Sequence, residues 1–388
     1  MPDGREPTTI KVLSSLSEVP AEQWDICAGS DNPFVSHGFL SALEDSQSAC
    51  AESGWLPQHL TALDENGCVI AAAPLYLKSH SYGEYVFDWG WAEAYERAGG
   101  KYYPKLLSAV PFTPATGRRF LIHPDAPLDM ANVLIAGISQ LAEKQNVSSA
   151  HVTFLTESEF DQCGENGLLL RKGRQFHWEN RGYETFDDFL ASLTSRKRKA
   201  IRKERAAIAK QSIQMKTFSG SEITEAHWDA FYQFYNDTTD RKWGHRYLTR
   251  SFFSLLQERL PERIVLVMAE HDGQWVGGAI NLRGHDTLYG RYWGCVEDFR
   301  FLHFETCYYW AIDYAISHQL AWVEAGAQGP HKIQRGYLPR PTYSAHWIAD
   351  PNFRDAVKRF VETEQRDIEH EMALLMQESP YRNENGDS

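Results

Sequence analysis

Between Tyr289 and Tyr343 the chain carries a dense set of groups able to move protons and hold anions. His303 and Glu305 lie within the run R-F-L-H-F-E-T-C, while Gln328, His331, Lys332 and Arg335 follow in G-A-Q-G-P-H-K-I-Q-R-G-Y. A carboxylate or an imidazole can take a proton from an attacking group. Lysine and arginine can bind an anion or stabilise an oxyanion. The alternative is that Glu305 complements a helix dipole and that Lys332 and Arg335 are solvated.

These side chains need elements to position them. Phe304, Cys307, Tyr308, Ala311, Ile312 and Ala315 recur at helical spacing and predict a helix with one apolar stripe. Thr287 to Cys295, rich in Tyr and Trp, predicts a strand, with Tyr289, Arg291 and Trp293 along it. Ala321 to Ala325 predicts a short buried strand. The remainder, to Tyr343, reads as a polar loop broken by Gly326, Gly329, Pro330 and Gly336.

Two earlier stretches stand out. Tyr82 to Phe120 holds ten aromatic residues among Asp88, Lys105, Arg118 and Arg119 at no clean period. This suits either a cleft wall or an irregular aromatic core. Phe186 to Lys210 reads as one long helix; from Arg196 to Arg205 it carries seven basic residues and one acid. The stripes Arg198, Arg202, Arg205 and Arg196, Lys199, Lys203 suit an anion site or a solvated face.

In chain order, Ile10 to Leu16 predicts a strand, Ala21 to Ala28 and His37 to Ser48 helices, and Leu60 to Leu63 and Val69 to Lys78 strands joined at Asn66-Gly67. Met130 to Lys144 predicts a helix and Ala150 to Leu155 a strand. Leu168 to Glu179 adds strands. Met215 to Phe218, two helices from Glu222 to Leu260, and three strands from Arg263 to Cys295 repeat this outline, with Asp272-Gly273 as a hairpin turn. Arg241, Lys242, Trp243 and His245, between those two helices, are expected to line a cleft or cap the fold. Pro351 to Gln377 reads as a surface helix. The expected division is residues 1–180, residues 181–380 with the basic helix 186–210, and a loose tail 381–388.

A length of 388 residues fits two domains, and 43% hydrophobic content is enough for sizeable cores. The net charge of −13 argues against general binding to nucleic acid or anionic membranes. Six cysteines with no C-x-x-C pair fit a reduced, cytoplasmic setting. No apolar run is long enough for a membrane span. There is no phosphate-binding G-x-x-x-x-G-K-[ST], no G-x-S-x-G elbow and no H-E-x-x-H. His303, Glu305 and His331 lack the spacing of a metal site, so none is expected.

The runs H-F-E-x-C-Y-Y-x-x-I-x-Y-A-I and G-A-Q-G-x-H-K-x-x-R-G-Y resemble a bacterial Fem-like family, related to peptidoglycan aminoacyltransferases and to GNAT acyltransferases. F-D-x-x-W-A, from Phe87, and Y-Y-P-K-L-x-x-A-V-P-F-T-P-x-T-G, from Tyr102, resemble it too. Pro330 departs from the family's usual Glu. The resemblance implies an α/β fold of mixed sheets and flanking helices: tandem GNAT-like domains with a cleft between or beside them. It implies transfer of an acyl or aminoacyl group to an amine on a peptide or cell-wall precursor. Glu305 is then the expected base, with His303 or Asp88 as substitutes. Trp89, Tyr103, Lys105, Thr113, Thr116, Tyr289, Arg291, Trp293, Gln328, His331, Lys332 and Arg335 are the expected substrate contacts. Arg196, Lys199, Arg202 and Lys203 are expected to bind an anion, tRNA being one such partner. No cofactor is expected to be tightly bound; acyl-CoA or aminoacyl-tRNA would be the co-substrate. The junction C-V-E-D-F-R-F-L-H-F-E offers no glycines and two acids to a pyrophosphate. Two other readings stay open: a GNAT-like binding protein without catalysis, and an acetyl-CoA-dependent N-acetyltransferase.

Overall fold

The computed structural model describes residues 9–242, 246–297, 299–326 and 329–382. The chain forms two units, residues 1–173 with 342–368 and residues 174–341 with 369–388. The expected boundary at 180 and 181 thus falls seven residues earlier, inside a strand, and two later segments complete the units.

In the first unit, β1 (Thr9–Leu13), β3 (His59–Leu63), β4 (Val69–Ala73) and β7 (Leu121–Ile122) form an antiparallel sheet in the order β1-β3-β4-β7. Gly67, at φ 80°, makes the turn between β3 and β4, where a left-handed residue costs glycine least. β2 (Trp55–Pro57), β5 (Tyr76–Lys78), β6 (Lys105–Ser108), β8 (Ser149–Leu155) and the 342–348 part of β15 (Leu338–Ile348) form a second row, ordered β15-β8-β6-β5-β2. Helices α1 (Ala21–Ala28), α2 (His37–Asp45), α4 (Met130–Lys144) and α5 (Glu157–Glu165) flank these strands. From α4, Met130, Leu134, Ile135 and Ile138 enter a core with Leu106, Ala150, Val152 and Ala345. Each large side chain so buried contributes roughly 1.5–3 kcal/mol.

The register leaves the opposite face of the second row polar. Lys78 lies across from Lys105, Leu107 across from His151, and His151 across from His346. Strand alternation therefore puts Lys78, Lys105, His151 and His346 on one face. Helix α3 (Trp89–Arg97) arises in the stretch expected to be irregular, and ends where Ala98-Gly99-Gly100 follows. Trp91, Ala92 and Tyr102 pack there against Val357 and Val361 of α12 (Pro351–Gln377).

In the second unit, β10 (Ile213–Ser219), β11 (Ile264–His271), β12 (Gln274–Arg283), β13 (Thr287–Cys295), β14 (Trp322–Glu324) and the end of β9 (Leu169–Glu179) run in the order β10-β11-β12-β13-β14-β9. Asp272 and Gly273, both at positive φ, close the β11–β12 hairpin. β13 and β14 are the parallel pair, held together only from Thr287 to Tyr289. The helices are α6 (Phe186–Ser192), α7 (Ser195–Lys210), α8 (Glu225–Lys242), α9 (Arg250–Arg259), α10 (Leu302–Phe304) and α11 (Trp310–Ser317). The expected single helix over 186–210 is two. Leu193 and Thr194 are extended, Leu193 is buried, and Thr194 N–H donates to Pro380.

Between α10 and α11 lies a π-helical turn, Glu305–Tyr309. Such widened turns concentrate at functional positions. The expected polar loop holds a 3₁₀ turn, Pro330–Arg335, and then β15. Tyr381, expected in a loose tail, is buried and donates its hydroxyl hydrogen bond to the Gly336 carbonyl.

Candidate active site

The parallel strands β13 and β14 separate after Tyr289 and Glu324. A crevice beyond the carboxyl ends of parallel strands is the usual place for a ligand in such sheets. On the β13 side, the pairing with β12 skips Arg291, so the chain bulges there. Tyr289 is buried, the Arg291 guanidinium lies 5.4 Å from the Tyr292 ring, and the Trp293 ring is 5.5 Å from that of His303.

The π turn supplies the carboxylate. Glu305 is 5% exposed, and its Oε1 accepts from Arg205 Nε at 3.1 Å and lies 3.0 Å from Arg205 Nη2. Arg205 Nη2 also meets Asp313 Oδ2 at 2.9 Å. Glu305 Oε2 is buried without a hydrogen-bond partner. Burial pushes the Glu305 carboxyl above its ordinary value, against the pull of Arg205. Sequence reading put Arg205 on a stripe suited to an anion site or a solvated face; its guanidinium instead pairs with Glu305 and Asp313.

The 3₁₀ turn brings the cations. Lys332 is 1% exposed and donates to Ala325 O and Gly326 O, both at 2.7 Å. Burial lowers its ammonium to about 7. Arg335 pairs with Glu204 at 2.9 Å, its guanidinium 3.4 Å from the Phe304 ring centre, and Tyr309 donates its hydroxyl to Glu204. Both cations expected to hold an anionic substrate therefore already have partners within the fold. His331 is exposed, with its Nε2 3.0 Å from the Tyr308 hydroxyl. His303 lies among Trp293, Phe304 and Tyr308. Gln328, Trp243 and His245 lie outside the described residues. Among the described residues no three histidine, cysteine or acidic side chains gather as metal ligands.

Arg196, Lys199, Arg202 and Lys203 are exposed on α7, and Arg202 meets Asp187 at 2.9 Å. Helix α7 thus shows Glu204 and Arg205 to the π turn and Arg196, Lys199, Arg202 and Lys203 to solvent.

The first unit holds a second group of candidates. Asp88, at the N-terminal cap of α3, accepts from Lys105 and, at 2.7 Å, from Tyr102. Lys105 also donates to Glu84 at 2.7 Å and to Ser81 at 2.8 Å. Lys78 stands 4.0 Å from Glu84, and His151 3.9 Å from Asp88. His151 and His346 share a hydrogen bond of 2.7 Å between their Nδ1 atoms. All these groups are buried. Burial alone would raise Asp88, but Lys105, His151 and Ser81 together outweigh it and hold the carboxyl below the usual range. Burial raises Glu84 to about 7 and lowers Lys78 to about 7 and His151 to about 3. A carboxylate held by lysine and tyrosine is a poor proton acceptor, so this cluster's chemistry is positional.

Trp89 is 40% exposed and Tyr103 half-buried. Thr113 Oγ1 donates to Pro111 O at 3.0 Å, and Thr116 Oγ1 is buried without a hydrogen-bond partner. Buried Arg119 fixes their loop by donating to Ala115 O, Gly117 O and Thr153 O. Sequence reading missed Lys78, Glu84, His151, His346 and Glu204 as site-forming residues. The polar positions in Y-L-K, S-A-H-V-T-F-L and Y-S-A-H-W-I were the available signal, since each interrupts an apolar strand.

A family model described as peptidoglycan biosynthesis/recognition matches residues 15–383. The chain belongs to this FemAB-like family. The fold is similar to that of FemX (TM-score 0.55, 11% identity, covering 88% of this chain and 98% of that one). It is also similar to L-PGS from Bacillus licheniformis (0.52, 9%, covering 86% and 98%). A third similar structure is the C-terminal domain of a putative lysylphosphatidylglycerol synthetase from Agrobacterium fabrum (0.55, 10%, covering 90% and 97%). No curated protein matches the chain. The FemAB-like chain has the expected mixed α/β fold, with the sheets and flanking helices similar to those of FemX. No helix among its described residues is long and apolar enough to cross a membrane.

Proposed function

We propose that this FemAB-like protein transfers an acyl or aminoacyl group from an activated carboxyl donor to an amine on a peptide or cell-wall precursor. The observation that carries this reading is Glu305, with one oxygen clamped by Arg205 and the other buried and unpartnered. In the reaction the amine nitrogen attacks the carbonyl carbon and the bond to the leaving ester oxygen or thioester sulfur breaks. The amine loses one proton, which Glu305 Oε2 accepts, and the leaving group gains one. A base whose orientation is fixed at one oxygen needs no reordering before it works. Lys332, lowered to about 7, is partly neutral near neutral pH, and its two carbonyl contacts suit it to shaping the crevice more than to binding a phosphate.

Aminoacyl-tRNA and acyl-CoA are two donor classes that carry such an activated carboxyl. The exposed cations Arg196, Lys199, Arg202 and Lys203 support the first. The β13–α10 junction, with Glu297 in place of a glycine loop, speaks against the second. Incubating the protein with charged tRNA and a precursor peptide bearing a free amine tests the reading by product formation, with acetyl-CoA as the second donor. The engagement of Lys332 and Arg335 within the fold favours one rival, a binder of peptide or peptidoglycan fragments without catalysis. Turnover with any activated donor would exclude that rival.

A further inference from the structure

The segment from Ser81 to Trp89 is built inside out. Its polar members face the interior: Ser81, Glu84 and Asp88 are 3–4% exposed. Three of its four aromatic members face solvent: Tyr82 is 43% exposed, Phe87 56% and Trp89 40%, while Tyr85 is half-buried. This reverses the ordinary partition on both counts, because buried charges lose hydration and exposed rings leave apolar surface wet. The inward side is held rigidly, since the Lys105 ammonium binds Ser81, Glu84 and Asp88 together. The outward side is therefore a fixed surface rather than a loose loop. Tyr82 and Trp89 meet at 4.8 Å with their planes at 61°, forming a corner, and the His80 ring lies 5.2 Å from that of Tyr82. Beside Trp89, a side chain built on Gly90 would meet no atom within 4 Å. The nearby Tyr103 hydroxyl, 2.9 Å from Ser81 Oγ, supplies a polar group at the edge.

We propose that this corner is a carbohydrate subsite, taking a hexopyranose ring of a glycan with its C–H face on Trp89 and its edge against Tyr82. Flat rings with hydroxyl groups at the margin fit a ligand that is apolar on one face and polar around its rim. Exposed Glu93 and Glu96 on the same helix oppose an anionic lipid surface but leave a neutral sugar unaffected. The inference rests on the reading that the acceptor is a cell-wall precursor, and names the part of it that this unit holds.

The test is titration of the full chain with chitotriose, a neutral N-acetylhexosamine oligomer, by calorimetry and tryptophan fluorescence. Saturable binding is expected. Trp89→Ala and Tyr82→Ala should each weaken it, the former about tenfold, the free energy of one stacked ring. Trp89→Phe should retain most of it, and melting curves check that each variant folds. Absence of saturation in the wild type, or an unchanged Kd in Trp89→Ala, overturns the proposal. So does loss of co-sedimentation with phosphatidylcholine vesicles in Trp89→Ala with no change in sugar binding. Sugar binding needs no donor. Chitotriose binding without any transfer reaction would remove the transferase reading and leave the subsite standing.

Discussion

Arg205 grips one oxygen of Glu305 through two nitrogens, Nε at 3.1 Å and Nη2 at 3.0 Å, and leaves the other oxygen bare. The pair joins α7 to the π turn, so helix position and carboxylate orientation are one property.

Glu305→Gln keeps the shape of the side chain and removes its ability to take a proton. Turnover should fall by about 10²-fold or more while the melting temperature stays close to that of the wild type. Wild-type turnover in this variant would remove Glu305 from the chemistry.

Arg205→Met should leave a buried, unpaired carboxylate. The expected loss is roughly 2 kcal/mol in a urea titration, reduced from the fully buried case because Arg205 is partly exposed. Adding Glu305→Gln should recover much of it, and a double-mutant cycle measures the coupling.

Lys332 and Lys78 give a pH dependence with a definite sign. Burial holds both ammonium groups at about 7 in the folded protein, against an ordinary value of 10.5. From pH 7 to 10.5 the unfolded chain binds more protons, so stability rises with pH across that window and is lost as pH falls to 7. Each lysine should contribute up to about 1 kcal/mol per pH unit. Denaturation at pH 7 and pH 9 should show a smaller rise in Lys332→Met than in wild type, and likewise in Lys78→Met.

Asp88→Asn should cost about 3–5 kcal/mol, because Lys105 would be left buried with a weaker set of partners. Replacing Asp88 and Lys105 together by Asn and Met should cost less than the sum of the single changes. An additive result in chemical denaturation would show that the two do not act as a pair.

Charge reversal at Arg196, Lys199 and Lys203, which point to solvent, should leave stability within about 0.5 kcal/mol. Binding to tRNA should weaken, with a shallower dependence on salt. Equal affinity and equal salt slope in the triple variant would remove α7 as an anion surface.

Elements with a clear period were legible in the sequence: α4, β13 and α12 fall at their expected limits. The losses have local reasons. β15 was hidden by Pro339 and Pro341, which precede the part paired with β8, beginning at Tyr343. The break between α6 and α7 was masked by a continuous helical pattern, although Leu193-Thr194-Ser195 carries a start signal. α5 was overlooked despite its capping box of Thr156 and Glu159. Glu305 was recognisable as a candidate, but its partner Arg205 is 100 residues away, on a stripe that suited an anion site or a solvated face equally. The buried cluster around Lys105 could not be read, because it joins five separate segments whose register no local pattern specifies.

The π turn gives the late helix one residue more than a regular winding would use. Excising a single residue between Thr306 and Tyr309 would let the coil tighten to its ordinary pitch. Glu305 would then swing about 100° around the axis relative to α11 and lose sight of Arg205. The surplus residue is thus an adjustment of phase: without it, a smoother helix would carry its acid on the wrong side.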